Sequence, residues 1–309
     1  AFGGCAAGAA GRYRAPGDRQ RASAASVTLA SPPNPAYLNG EFLTEDKAMV
    51  PALDRGFLFA DAVYELVPMY AGEGLGMSLH VARLKKSLQA LGIDDAEKLS
   101  ADMPRIAAEL ARRHSAQDVA VYLQITRGVA PREHVPPAQI APTVFARATA
   151  MTRTPAEPVA AVLREDIRWG RCDIKSTALL ANVLARMAAA HVDAYEAILY
   201  RDGWVTEGAA SNVFAVVDGV IRTPATGPEL LPGVTRALLL EQMTGARRPV
   251  EVGPLAVSDL KRASEIFVTS SSKGPVPVTL LEGESVGSGE PGPVWQGVSA
   301  DYFSALPGS

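Results

Sequence analysis

Apolar residues alternate with period two at Val119, Val121, Leu123 and Ile125, which predicts a half-buried strand. From Leu79 they recur at Leu84, Leu88 and Leu91, and that spacing predicts a helix. A second helix holds Ile106 and Leu110. Residues 37–43 read as two short strands about an Asn39-Gly40 turn. Residues 57–70 mix apolar and aromatic side chains and predict a helix end running into a strand. A Pro-bearing loop over 128–142 precedes a strand over 143–148. The second half starts near Pro155, where 177–191 predicts a helix with Leu180, Val183, Leu184 and Met187 on one side. Hairpins turn at Asp202-Gly203 and at Asp218-Gly219. Pro232-Gly233-Val234-Thr235 opens a helix through Leu240, and 266–268 is a late strand. Strands mixed with helices, without regular βαβ alternation, predict an α+β fold with antiparallel sheets.

Composition narrows the class. Of the 309 residues, 48% are hydrophobic and 20% charged, which excludes disorder throughout. A net charge of −3 argues against a general nucleic-acid binder. Cys5 and Cys172 form no metal-ligand or disulfide framework, though one bridge between them is arithmetically open. No run has the length of a membrane span, so the chain reads as soluble and cytoplasmic. Residues 1–36 differ, with Arg12, Arg14, Arg19 and Arg21 against Asp18 and no apolar period; they read as a disordered leader. An Arg/Ser-rich, acid-poor start also has the look of an organellar transit peptide. The plainer reading, an over-extended or non-native start, is favoured because the chain opens with Ala1. The expected divisions are therefore 1–36, 37–150 and 151–309.

Candidate chemistry begins with the lysines. Six of the seven lie in polar contexts; Lys175 precedes an apolar helix. Loss of hydration there favours a free amine able to condense with a carbonyl. On composition alone, a helix-start lysine that snorkels to water is the better reading. Glu207, at the end of a hairpin strand beside Gly208-Ala209-Ala210, needs a cationic partner if buried. A protonated pyridine nitrogen is one candidate, and a structural arginine is the commoner one. Val234 and Thr235 stand at a helix start, where free N–H groups favour phosphate or a threonine simply caps. Ser270-Ser271-Ser272 offers hydroxyls or plain loop. Gly72-Glu73-Gly74-Leu75-Gly76 lacks the spacing of a dinucleotide loop and reads as a turn.

Taken together, these segments resemble the fold-type IV pyridoxal-phosphate enzymes, from about Tyr37 to the C-terminal region. The motifs are Asp54-Arg55-Gly56-Phe57 with Asp61-Ala62-Val63-Tyr64-Glu65, His80-Val81-Ala82-Arg83-Leu84, Arg171-Cys172-Asp173-Ile174-Lys175-Ser176, Thr206-Glu207-Gly208 with Ser211-Asn212-Val213-Phe214, and Leu231-Pro232-Gly233-Val234-Thr235-Arg236. The resemblance implies a smaller N-terminal α/β domain and a larger C-terminal cofactor domain with antiparallel sheets in a pseudo-barrel. It implies pyridoxal 5′-phosphate held by Lys175 as a Schiff base, with Glu207 on the pyridine nitrogen. Arg83, Val234, Thr235 and Ser271 or Ser272 would hold the phosphate. The loop Thr126-Arg127-Gly128-Val129-Ala130-Pro131-Arg132-Glu133-His134 is similar to that of the D-amino-acid aminotransferases. There Arg132 and His134, with Tyr64, would bind the substrate carboxylate; read without the family, Arg132 and His134 belong to a solvated loop.

Leu180 stands where branched-chain enzymes carry a tyrosine, which again sides with the D-amino-acid group. Ala60 and Ala62 stand where the family often has glycine, in the segment that places Tyr64. The activity implied is transamination of a D-amino acid such as D-alanine with 2-oxoglutarate, in a homodimer and with no nucleic-acid or membrane partner. The alternatives of the same fold are a branched-chain or (R)-amine aminotransferase and aminodeoxychorismate lyase.

Overall fold

A computed structural model describes residues 33–308. Residues 1–32 of the expected leader, Cys5 among them, lie outside the described residues. Regular structure starts at Pro35, two residues before the expected Tyr37.

The first sheet has six antiparallel strands: β1 (Pro35–Leu38), β2 (Glu41–Thr44), β3 (Ala62–Tyr70), β4 (Glu73–Gly74), β5 (Val119–Thr126) and β6 (Thr143–Ala150). Their order is β2-β1-β6-β5-β3-β4. The period-two run at 119–125 is β5, paired on both sides and buried at Val119, Val121, Leu123 and Ile125. Helices α2 (Met77–Leu91) and α3 (Ala96–Arg113) lay Leu84, Leu88, Met103, Ile106 and Leu110 against that face. Short α1 (Arg55–Phe59) precedes β3. The Gly-rich segment at 72–76 ends the β3–β4 turn, forms β4 and turns again into α2, with Gly76 as the residue before its first turn.

The second sheet curls as a half-barrel. Its strands are β7 (Val159–Glu165), β8 (Glu196–Arg201), β9 (Trp204–Gly208), β10 (Asn212–Val217), β11 (Val220–Thr223), β12 (Val250–Val252), β13 (Glu265–Ser270), β14 (Gly274–Leu281) and β15 (Glu284–Ser285). The order is β12-β11-β10-β13-β14-β7-β8-β9, with β15 on β14. Both Asp-Gly hairpins are present, as β8–β9 and β10–β11. The sheet is mixed rather than antiparallel throughout, because β14 with β7, β7 with β8 and β11 with β12 run parallel. A parallel pair needs a crossover. Between β7 and β8 this crossover is the Lys175 segment followed by α4 (Leu180–Ala190). Helices α5 (Val234–Gly245), α6 (Val257–Lys261) and α7 (Pro293–Ser304) complete the fold, with Phe214 and Phe267 stacked beneath α5 and α7. No helix of the described residues is long and apolar enough to cross a membrane.

Two backbone positions before the site carry opposite strain. Gly128 has φ +115°, and a Cβ there would lie 2.0 Å from the Ala141 carbonyl oxygen. Ala60 ends α1 at φ 54°, a left-handed conformation that disfavours a side chain. Gly128→Ala is therefore expected to destabilise the protein by about 1–3 kcal/mol. Ala60→Gly is expected to stabilise it by about 1 kcal/mol. Urea unfolding midpoints check both signs; a neutral Gly128→Ala would contradict the close approach.

Candidate active site

The crossover that carries Lys175 does not run free over the surface. It pairs with the first sheet at one antiparallel bridge, Val63 with Ser176: Tyr64 N–H donates to the Lys175 carbonyl at 2.9 Å, and Thr177 N–H to the Ala62 carbonyl at 3.0 Å. Ser87 of α2 holds the Lys175 N–H at 3.2 Å, and Ile174 packs into the first core. The half-buried Lys175 Nζ stands over the Tyr64 ring, 4.2 Å from its centre. Lysine and tyrosine are thus fixed by the backbone pairing of their own neighbours.

Arg83 reaches the same cavity from α2. Glu65, the next residue to Tyr64 and fully buried, takes Arg83 Nε at 2.8 Å and Nη2 at 2.7 Å. His80 Nδ1 stands 2.6 Å from the same carboxylate. Burial alone would push the Glu65 carboxyl up; the Arg83 charge and the bonds from Arg83 and His80 outweigh it and hold it at about 2. Burial pushes His80 down, so it is neutral near pH 7 and gives Glu65 an N–H. Arg83 Nη1 donates to the Pro232 carbonyl at 2.9 Å, just before α5.

The start of α5 has no side-chain cap, so its first N–H groups, including those of Val234 and Thr235, face outward with the positive end of the helix dipole. Gly233 is required there, since a Cβ would lie 1.9 Å from Asn212 Oδ1. Beside this helix start, the buried Thr269 hydroxyl has no hydrogen-bond partner.

Glu207 comes from the second sheet, at the end of β9, and is 5% exposed. Its Oε1 accepts from Arg168 Nη1, and its Oε2 accepts from Asn212 Nδ2 at 3.1 Å and Leu231 N–H at 3.1 Å. The structural arginine that the sequence left open is therefore present, as Arg168. Burial pushes the Glu207 carboxyl up to about 7, against the opposing pull of Arg168. A carboxylate offers about four acceptor positions, so one stays for a ligand.

Lys175, Tyr64, Arg83, Glu207, Val234, Thr235, Thr269, Ser270 and Ser271 all line one cavity of about 560 Å³. Ser272 does not line it; its hydroxyl sits 3.5 Å from that of Ser270 instead. Arg132 and His134 are not in this cavity either. Both are exposed and flank the Phe59 ring, with the Arg132 guanidinium 5.4 Å and the His134 ring 5.7 Å from its centre. Arg168 and Thr269 are the residues that sequence reasoning missed. Asp166-Ile167-Arg168 before Trp169 was the available signal for the first; nothing in the Thr269 neighbourhood marked it apart from the serines that follow.

A phosphate fits the uncapped helix start with Arg83 and the unpartnered Thr269 hydroxyl. An aldehyde fits the Lys175 amine, and a cationic ring nitrogen fits the remaining acceptor position of Glu207. That donor set suits pyridoxal 5′-phosphate, the cofactor of fold-type IV aminotransferases.

Comparison with known proteins agrees. The family model for amino-transferase class IV matches residues 62–281. The chain is 37% identical to the D-alanine aminotransferase of Bacillus licheniformis, over 87% of this chain and 95% of that one. It is 37% identical to the D-alanine aminotransferase of Staphylococcus haemolyticus, over 84% and 93%. Among solved structures, the branched-chain amino acid aminotransferase of Escherichia coli superposes with a TM-score of 0.80 at 22% identity, covering 89% of this chain and 95% of that one. The branched-chain aminotransferase of the archaeon Thermoproteus uzoniensis, solved with norvaline, superposes with a TM-score of 0.76 at 22% identity, covering 87% and 93%. Both superpositions speak for the fold. With its lysine, its buried glutamate and its phosphate-fitting helix start in one cavity, the chain belongs to the class IV aminotransferases.

Proposed function

We propose that this chain transfers the amino group of D-amino acids, D-alanine among them, to 2-oxo acids such as 2-oxoglutarate. The observation that carries the reading is the joining of Lys175, Arg83, Glu207 and the start of α5 in one cavity. The choice of D-substrates rests on the named relatives at 37% identity and on the Arg132–His134 loop.

Pyridoxal phosphate supplies an electron sink for the charge left when the substrate α-proton departs. The protein supplies the rest. The Lys175 amine would hold the cofactor through its aldehyde carbon and, once free, would carry the proton between the substrate α-carbon and that carbon. Glu207 holds negative charge against the ring nitrogen. Arg83, Val234, Thr235 and Ser271, joined by Thr269 and Ser270, fix the phosphate. Tyr64 lies against Lys175 and binds the substrate carboxylate from that side.

Arg132 and His134 do not line the Lys175 cavity of their own chain, so the proposal includes a homodimer in which each loop serves the partner's site. Apolar surface supports it: on α4, Leu180 is 73% and Met187 62% exposed, while Leu53, Phe57, Val129 and Val135 are exposed around the loop.

Two outcomes are expected. Cofactor-loaded protein should form pyruvate from D-alanine and 2-oxoglutarate, and Lys175→Ala should lower kcat at least about 1000-fold. Turnover of L-leucine with none of D-alanine would sink the D-specific reading while keeping the family. The second concerns the loop. Lys175→Ala and Arg132→Ala proteins, each inactive, should recover about a quarter of wild-type activity when unfolded and refolded together, the statistical share of intact sites in mixed dimers. No recovery, with dimers present by light scattering, would place Arg132 in its own chain's site.

A further inference from the structure

A second buried carboxylate stands behind Glu207, and nothing in the reaction uses it. Asp166 follows β7 and is shielded from water. Its two oxygens hold one guanidinium side-on: Arg168 Nε donates to Oδ1 at 2.9 Å and Nη2 to Oδ2 at 2.8 Å. The Arg168 N–H also donates to Oδ1, at 3.0 Å, and the Thr206 hydroxyl donates to Oδ2 at 2.9 Å. Arg168 Nη2 donates further to the Glu229 carbonyl at 3.1 Å. A guanidinium held by this many bonds in a planar fork has little rotational freedom. Its Nη1 is thereby aimed at Glu207 Oε1. Thr206 is the residue before Glu207, so a single strand end carries both the carboxylate and the hydroxyl that steadies its countercharge.

We infer that Arg168, locked by Asp166, is a positioning residue that keeps Glu207 an anion, so that the proton between Glu207 and the cofactor's ring nitrogen stays on the nitrogen. The inference rests on the reading that this cavity takes pyridoxal phosphate. One proton is shared in such a pair, either as N–H⁺ facing carboxylate or as neutral nitrogen facing carboxylic acid. The buried setting favours the neutral pair, because burial penalises charge. Burial pushes Glu207 up even with Arg168 in place, so the carboxyl would rise further without it. The other charged groups that act on Glu207 are Lys175 and, from α5, Arg236. Arg236 spends its bonds on Pro224 and Thr223, at 2.8 and 3.3 Å. The nearby Cys172 thiol is pushed up to about 11 by burial and stays neutral. Arg168 is thus the one cation bonded to Glu207 among the described residues. A neutral ring takes up electrons poorly, so the position of this proton decides how well the α-proton can leave.

The test loads wild type, Arg168→Lys, Arg168→Gln and Arg168→Met with pyridoxal phosphate labelled with ¹⁵N in the ring, one per chain, and records the ring ¹⁵N shift at pH 7.5. Wild type and Arg168→Lys should show a protonated pyridine nitrogen. Arg168→Gln should move the signal toward the unprotonated value and lower kcat about 10- to 100-fold, the range usual for partners one step removed from a catalytic group. Arg168→Met keeps the buried stem and should show the same shift should the glutamine variant not fold. An unmoved ¹⁵N signal in loaded, folded Arg168→Gln or Arg168→Met would overturn the inference. A wild type that takes up no cofactor would remove the underlying reading, and this inference with it.

Discussion

Glu65 has no contact with water, and a carboxylate so placed survives as an anion only against a fixed countercharge. Arg83 provides it, and the consequences spread through the molecule. Glu65 belongs to β3, Arg83 to α2, and the Arg83 Nη1 bond reaches the backbone that leads into α5. One ion pair therefore sets the distance between the first sheet, its helix and the phosphate-fitting helix start of the second sheet. Because strand side chains alternate, Tyr64 next door faces the other way, toward Lys175. Breaking the pair by removing one partner would leave the other charge buried and alone, which costs about 3–5 kcal/mol.

The same device recurs on the far side of the cavity with Asp166, Arg168 and Glu207. The two clusters differ in outcome. Glu65 meets two side-on bonds and a histidine N–H, and is held at about 2. Glu207 meets Arg168 through one nitrogen, because Asp166 occupies the rest of the guanidinium, and burial carries it up to about 7. One carboxylate is locked as structure; the other retains an acceptor position for a ligand and depends on Arg168 to oppose the rise that burial causes.

Local periodicity carried most of the elements. The strand at 119–125, the helices about Leu84 and Ile106, and the Asp-Gly hairpins are each specified by contacts or turns of near neighbours. Lys175, Arg83, Glu207, Val234 and Thr235 were legible because each lies in a short motif whose residues stay together. What failed to show was long-range. The parallel pairs of the second sheet arise from strands far apart in sequence, so nothing local marks them. Nothing local ties Arg168 to its partner Glu207, which is 39 residues away. Of Ser271 and Ser272, which the resemblance implies, only Ser271 lines the cavity, and consecutive hydroxyls at a strand end cannot be told apart until the strand's face is known.

The apolar stripe of α4 shows a different limit. Leu180, Val183, Leu184 and Met187 do repeat with helical spacing, yet all four are exposed, and the helix turns its small Ala189 toward β7 and β8 instead. A stripe says that something covers the helix without saying whether it belongs to the same chain. The cations of the cavity point the same way. Lys175, Arg83, Arg168 and Arg186 line it among the described residues. Arg83 is bound to Glu65 beside the phosphate-fitting helix start, Arg168 to Asp166 and Glu207, and Arg186 to Glu196. Lys175 is committed to the cofactor on the proposed reading. Arg83 and Arg168 are thereby committed, whereas Arg186 bonds through Nη1 alone. Arg132, on an exposed loop beside Leu53, Phe57, Val129 and Val135, makes no ion pair among the described residues, and the proposed second copy of the chain would bring it to the cavity while covering α4.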